Sequence, residues 1–207
     1  MIATPIESPF TVAVLAGGAG ARLGGRDKGL RRFNGRPLIS WVVDRLREHA
    51  SAHVAQLPIL IVANRNIDRY MTFAPTISDS RSGFAGPLAG IAAALAVCTT
   101  PWLLTVPVDC PCPPSDLPSR LLDNAASRAA VSLVAHDGKR RQPLFALYRS
   151  ELATSAAAAV AGGQGVWQWQ ESLEAIEVDF SDESAQFVNL NTPDDFSVYR
   201  KSIAVIA

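Results

Sequence analysis

Leu15-Ala16-Gly17-Gly18-Ala19-Gly20-Ala21-Arg22-Leu23-Gly24-Gly25-Arg26-Asp27-Lys28 follows directly on the apolar run Thr11-Val12-Ala13-Val14-Leu15. Five of the fourteen glycines fall between Gly17 and Gly25, with Arg22 inside the stretch and Lys28 just after it. Without a Cβ, successive backbone N–H groups can turn inward and approach a polyanion, and the two basic side chains add charge at the same place. A buried strand running into such a loop predicts a phosphate cradle, whereas a generic glycine linker has no need of fixed basic residues.

Two familiar cradles do not fit. A dinucleotide fingerprint needs glycine three residues after Gly20, where Leu23 stands. A P-loop needs Gly-Lys-Ser/Thr, yet Gly25 is followed by Arg26. The loop resembles instead that of nucleotidyltransferases, which load a nucleoside monophosphate onto a phosphorylated acceptor.

The chain of 207 residues is 48% hydrophobic and 18% charged, enough for one domain with a full core. Residues 1–10 read as a loose lead-in and 11–207 as a single domain. Nineteen basic residues balance nineteen acidic ones, which argues against a nucleic-acid partner. The densest basic run, Lys139-Arg140-Arg141, reads as a solvated hairpin tip or as a contact for an anionic substrate. Leu88–Cys98, the longest apolar stretch, is about half of a membrane span. The start Met-Ile-Ala-Thr-Pro has no basic leader, so the expected location is cytoplasmic, with Cys98, Cys110 and Cys112 as reduced thiols. Cys110-Pro-Cys112 reads as packing rather than as a metal pair. His49, His53 and His136 fall on a helix, just past it and in a turn, which leaves no histidine placed for catalysis.

Apolar strands are expected at 11–16, 59–63, 76–78 and 102–108, with Pro107 pointing to an edge or irregular position. Helices are expected from Pro37, from Pro87 to Cys98, and from an N-cap at Ser115 to about Arg128. Strands at 130–135 and 143–149 flank a polar turn that includes Arg140, Arg141 and Gln142. An alanine-rich helix at 151–161 ends at Gly162-Gly163. A short helix then carries Trp167 and Trp169, with one of the two in the core. Strands at 177–180 and 187–190 precede a helix start at Thr192-Pro193-Asp194-Asp195. The alternation predicts an α/β fold, Rossmann-like, with a mostly parallel central sheet and helices on both faces.

In such sheets ligands sit off the carboxyl ends of the strands, where Ala16-Gly17, Asn64, Asp79 and Asp109 are expected. Asp109 is placed to hold Mg²⁺ or to make a turn. Asn64 and Asp79 suit a ribose or base, or a turn. Gly86-Pro87-Leu88-Ala89-Gly90 opens a helix and leaves backbone accessible to an anion. Asn189 and Asn191, bracketing Leu190 on a strand, would point the same way, as caps or toward a polar ligand.

Leu15-Ala-Gly-Gly18, Arg22, Gly24, Asp27-Lys-Gly29, Asn34-Gly-Arg-Pro-Leu38, Gly86-Pro-Leu-Ala-Gly90, Asp109 and Phe187-Val-Asn-Leu-Asn-Thr-Pro193 together resemble the molybdenum cofactor guanylyltransferases, from about Val12 to Phe196. Gln142 stands before Pro143, where that family's pattern has histidine. The resemblance implies transfer of GMP from GTP to the terminal phosphate of Mo-molybdopterin, with release of pyrophosphate. It implies that Leu15, Ala16, Gly17 and Gly18 contact guanine and phosphates, that Arg22 and Lys28 neutralise phosphate charge, and that Asn64 and Asp79 hold the nucleoside. Gly86, Pro87 and Leu88 would line the substrate, Asp109 would bind Mg²⁺, and Asn189 and Asn191 would lie on the pterin side. Proteins that donate molybdopterin or mature molybdoenzymes would be its partners. A CTP-dependent cytidylyltransferase and a non-catalytic nucleotide-binding regulator are the competing readings. In the cytidylyl branch Leu-Ala-Ala-Gly replaces Leu15-Ala-Gly-Gly18.

Overall fold

The computed structural model describes residues 8–17, 27–49, 57–79, 86–192, 194–197 and 199. Gly18, Arg22 and Gly24 lie outside the described residues, as do 1–7 of the expected lead-in, His53 and Pro193.

The elements in chain order are β1 (Phe10–Leu15), β2 (Arg32–Phe33), β3 (Arg36–Pro37), α1 (Leu38–His49), β4 (Ile59–Val62), α2 (Ile67–Met71), β5 (Thr76–Ile77), α3 (Pro87–Val97) and β6 (Trp102–Pro107). Then come α4 (Leu117–Arg128), β7 (Ser132–His136), β8 (Arg141–Arg149), a 3-10 segment, Ser150–Leu152, α5 (Ala153–Ala161), α6 (Val166–Ser172), β9 (Ile176–Asp179) and a second 3-10 segment, Ser181–Gln186. The central seven-stranded sheet has the order β5-β4-β1-β6-β8-β7-β9. Within it β8 runs against the rest, so the sheet is mostly parallel.

Alternation along β1 divides the core. Val12 and Val14 pack on one face with Ile61, Leu104 and Val106, under Ile39, Val42 and Val43 of α1 and Leu117 and Leu121 of α4. Ala13 and Leu15 face the other side, with Val62 and Leu103, under Leu88, Ile91 and Leu95 of α3, Ala156 of α5 and Trp169 of α6. β1 is therefore buried at every position, as a strand covered on both faces must be, and its one polar side chain, Thr11, is paired with the Thr100 hydroxyl at 2.9 Å. Gly90 sets how close α3 can come. A Cβ there would meet Val62 Cγ1 at 3.2 Å and Leu15 Cδ2 at 3.6 Å.

Several expected boundaries move. Phe10 belongs to β1 and is buried, so the sheet starts inside the expected lead-in. Pro37 closes β3, and the helix starts one residue later. The β2–β3 hairpin turns at Asn34 and Gly35, which have φ of 47° and 80°, the left-handed values that Asn-Gly tolerates. Asp116, not Ser115, occupies the N-cap of α4. Arg141 and Gln142 lie in β8 rather than in the turn. Arg141 stacks over Trp167 at 4.6 Å and bonds Glu177, so the expected basic tip is reduced to Lys139 and Arg140. Trp169 is the core tryptophan, and Trp167 is exposed.

Pro107 is not at an edge. It registers with Leu15 in a strand that lies between β1 and β8. β8 pairs only with Trp102–Thr105, so the ladder on that side ends before a proline could interrupt it.

Residues 187–190 form no strand. Phe187 and Leu190 are buried in two different clusters, and this pins an irregular segment without any strand partner. Apolar spacing imitated a strand where two separate anchors were at work. Beyond it, Asp195 Oδ2 accepts the N–H groups of Asn191 and Thr192 at 2.8 and 2.6 Å, and Thr192 Oγ1 accepts the Asp195 N–H at 3.2 Å. That reciprocal cap starts the terminal helical turn.

Candidate active site

The carboxyl ends of four adjacent strands, β5, β4, β1 and β6, carry Asp79, Asn64, Ala16-Gly17 and Asp109 along one edge of the sheet. Each follows its strand by a residue or two, where a carboxylate or amide can leave the sheet interior, in which it would be costly to bury.

The Gly17 side is tied into the sheet by backbone hydrogen bonds. The Leu15 carbonyl accepts the Val108 N–H at 3.1 Å, and the Ala16 N–H donates to the Val62 carbonyl at 2.8 Å. Leu15 keeps its side chain in the core, so it offers a ligand backbone only. A Cβ on Gly17 would lie 3.5 Å from Asn64 Nδ2 and 3.9 Å from Asp79 Oδ2. Asn64 Nδ2 donates to Asp79 Oδ2 at 2.8 Å, and the Asp79 N–H donates to Asn64 Oδ1 at 3.1 Å. Each residue thereby fixes the other. Asp79 Oδ1 is buried and has no hydrogen-bond partner among the described residues.

Across the edge, Lys28 Nζ lies 2.5 Å from Asp109 Oδ2, the side chains being 22% and 17% exposed. Lys28 also donates to Asn191 Oδ1. The Asp109 carbonyl accepts the Leu190 N–H at 2.8 Å, which brings the terminal segment to the site. Asp109 Oδ1 and Asn189 Oδ1 are buried, again without partners among the described residues. Three acceptor oxygens, on Asp79, Asp109 and Asn189, are thus desolvated at one sheet edge, a costly state unless a donor or cation meets them. Asn189 and Asn191 reach the site from an irregular segment, so the alternation expected to orient them together does not apply. The Asn191 amide instead bridges Lys28 and the Asn189 carbonyl, the latter at 3.5 Å.

Gly86 and Pro87 are exposed at the start of α3, with Gly86 at φ 77° and nothing within 4 Å of a Cβ placed there. Leu88 is buried against the sheet, so its side chain serves packing and only its backbone faces the N-terminus. Among the described residues no hydrogen bond links Gly86, Pro87 or Leu88 to Lys28 or Asp109.

The segment that ends in Asn189 is clamped from below. Arg120 Nε and Nη2 donate to Asp116, Nη1 and Nη2 to Asp182, and Nη1 also to the Asp179 carbonyl. All N–H donors of the guanidinium are thereby used, and it stacks over Phe180 at 4.5 Å. Nearby, Gln142 Nε2 donates to Asp137 Oδ2 at 2.6 Å, while Asp137 Oδ1 accepts the N–H groups of Lys139 and Arg140. Gln142 therefore orders the β7–β8 turn. Burial alone would raise the Asp137 carboxyl, but those N–H donors and the Gln142 amide together hold it below the usual range.

Asp27, Gly29, Asn66 and Tyr70 received no role from the sequence. Asp27 Oδ1 accepts the Tyr70 hydroxyl, and Oδ2 accepts Asn66 Nδ2 at 2.9 Å. A Cβ on Gly29 would stand 2.4 Å from Tyr70 Oη and 2.8 Å from Val108 Cγ2. Burial first, and then the Asp27 carboxylate, push the Tyr70 hydroxyl well above its ordinary pKa, so it remains a donor. The only sequence signal was the unexplained Asp27-Lys-Gly29 triplet.

Comparison with known proteins bears on the family and the fold. The MobA-like NTP transferase domain matches residues 12–176. A molybdenum cofactor guanylyltransferase of Shewanella loihica is 40% identical over 92% of this chain and 95% of its own. One of Vibrio vulnificus is 39% identical over 90% and 92%. The crystal structure of molybdopterin-guanine dinucleotide biosynthesis protein A from Archaeoglobus fulgidus shares the fold, with a TM-score of 0.75, 24% identity and coverage of 94% and 98%. With this sheet order and a family match spanning most of its length, this chain is a nucleotidyltransferase that belongs to the MobA-like family, among the molybdenum cofactor guanylyltransferases.

Proposed function

We propose that this nucleotidyltransferase moves GMP from GTP to the terminal phosphate of Mo-molybdopterin, releasing pyrophosphate. The observation that carries the reading is the pairing of Lys28 with Asp109 and Asn191 opposite the Gly17–Asn64–Asp79 cluster, with buried acceptor oxygens on both sides. The names of the relatives at about 40% identity supply the substrates.

The family implies a divalent cation, read here as Mg²⁺. The unpartnered, buried Asp109 Oδ1 fits one, since Mg²⁺ takes one or two carboxylates and completes its shell with phosphate oxygens and water. Among the described residues no group of three or more His, Cys, Asp or Glu side chains could hold a metal. When bound, the ion supplies charge neutralisation at the reacting phosphates.

The acceptor's phosphate oxygen attacks the α-phosphorus of GTP as the bond to the β-phosphate oxygen breaks. A phosphate monoester is already ionised near neutral pH, so no protein base is needed and the chain supplies positioning and charge. Lys28 and Arg22 neutralise phosphate charge. Gly17 and Gly18, with the backbone of Leu15 and Ala16, admit the nucleotide closely. Asn64 and Asp79 hold the nucleoside. Gly86, Pro87 and the Leu88 backbone line the same side, and Asn189 and Asn191 meet the pterin. Residues 11–207 act as one cytoplasmic domain that exchanges cofactor with molybdopterin-donor and molybdoenzyme-maturation proteins. Among the described residues no helix is long and apolar enough to cross a membrane.

The test is pyrophosphate release. GTP with molybdopterin should give turnover, and GTP alone should not. Equal turnover with CTP would assign the chain to cytidylyl transfer, and binding without transfer would make it a nucleotide-binding regulator.

A further inference from the structure

Gly17 and Asp27, which flank the glycine-rich stretch in the sequence, both rest on the segment between β4 and the residues just after β5. Gly17, where the loop leaves, packs against Asn64 and Asp79. Asp27, on the other side of the loop, is gripped by Asn66 and Tyr70. Tyr70 is fully buried, so its hydroxyl has no water to turn to, and Asp27 is the acceptor it meets. Asn66 is held in the left-handed region, at φ 53° and ψ 35°, where asparagine is tolerated better than most residues. It sits at the N-cap of α2 but makes no side-chain cap bond, and its amide reaches across to Asp27 instead. Next along the chain, Gly29 is pressed against Tyr70 Oη so closely that no larger residue fits. Its carbonyl is fixed by the Ile39 N–H at 2.9 Å. Lys28 stands between these two anchored residues, and its Nζ is the group that reaches Asp109 and Asn191.

We infer that Tyr70 and Asn66 are positioning residues for Lys28: by holding Asp27 from the α2 side they fix the backbone from which the ammonium is aimed at the transferring phosphates. The inference rests on the reading of Lys28 as a phosphate ligand. A lysine side chain has four rotatable carbons, so its placement depends on a rigid base. An error of about 1 Å at a charge-stabilising group can lower turnover by about a hundredfold.

Tyr70→Phe removes the hydroxyl and keeps the ring. It should lower kcat for pyrophosphate release roughly tenfold, with a smaller rise in KM for GTP. Asn66→Gly keeps the left-handed backbone, drops the amide, and should give a loss in the same direction. The deciding measurement is a double-mutant cycle. In a Lys28→Ala background, Tyr70→Phe should change kcat/KM and GTP affinity by less than about twofold, because the group it positions is gone. A purely structural Tyr70 would cost the same factor in both backgrounds, and that result overturns the inference. So does wild-type kcat/KM in both Tyr70→Phe and Asn66→Gly. If Tyr70→Phe fails to fold, Asn66→Gly carries the same cycle. Absence of transfer by the wild-type enzyme overturns the proposed activity, whereas normal wild-type transfer with unaffected variants overturns the positioning role alone.

Discussion

Lys28 Nζ and Asp109 Oδ2 stand 2.5 Å apart although 81 residues separate them in the chain. One follows the glycine loop and the other follows β6, so the contact closes the site across adjacent parallel strands. The pair is partly exposed and adds about 1 kcal/mol or less to stability. Asp109→Ala should therefore fold normally by circular dichroism. Its transfer rate should fall by two to three orders of magnitude, about 3–4 kcal/mol of transition-state stabilisation. Asp109→Asn, which keeps the shape and loses the charge, should fall nearly as far in the same pyrophosphate assay.

The Asn64–Asp79 pair predicts a different kinetic signature. Asn64→Ala takes away two hydrogen bonds to Asp79 and leaves that carboxylate free to swing. KM for GTP should rise about ten- to a hundredfold. kcat should change less, since the nucleoside is held equally in ground and transition states. Steady-state kinetics with varied GTP would measure the split.

Two glycines should respond unequally to alanine. At Gly29 the added methyl would meet Tyr70 Oη at 2.4 Å and Val108 Cγ2 at 2.8 Å. Gly29→Ala should cost about 1–3 kcal/mol in denaturant unfolding and reduce transfer as well. At Gly90 the nearest atom is Val62 Cγ1, at 3.2 Å. Gly90→Ala asks only a small shift of α3 and should cost less than about 1 kcal/mol, since helix propensity offsets part of the strain.

Acid should loosen the β7–β8 turn and the terminal cap. The Asp195 carboxyl is held below its ordinary pKa first by the Thr192 N–H and then by the Asn191 N–H. Asp137 is lowered by the donors named above. A carboxyl whose folded pKa is depressed stabilises the fold at pH above its unfolded value of about 4, and that contribution disappears as pH falls through the folded value. Tm should thus drop between about pH 5 and pH 2. In Asp137→Asn, which has no such proton to take up, the drop should be shallower in the same series.

Much of the fold was legible in residue order. Largely apolar runs marked β1, β4 and β6 as strands, β1 among them as covered on both faces, and the residues after each run marked the ligand edge. The candidate site followed from the same logic, because Asn64 and Asp109 stand where buried strands stop and Asp79 follows the short, half-buried β5. Short-range pattern failed where burial was divided between clusters. Phe187 and Leu190 looked like one strand and proved to be two anchors. Pro107 looked like an edge because the sequence does not reveal where a neighbouring strand's ladder ends.

By itself the chain determined the α/β alternation, the glycine loop and the acids at strand ends, because hydrophobic period and backbone freedom are local properties. Only the tertiary structure decided that Lys28 meets Asn191, 163 residues away, that Tyr70 grips Asp27, and that β6 lies between β1 and β8. Those contacts depend on which elements become neighbours when the two faces of the sheet are buried, and residue spacing carries no record of that choice.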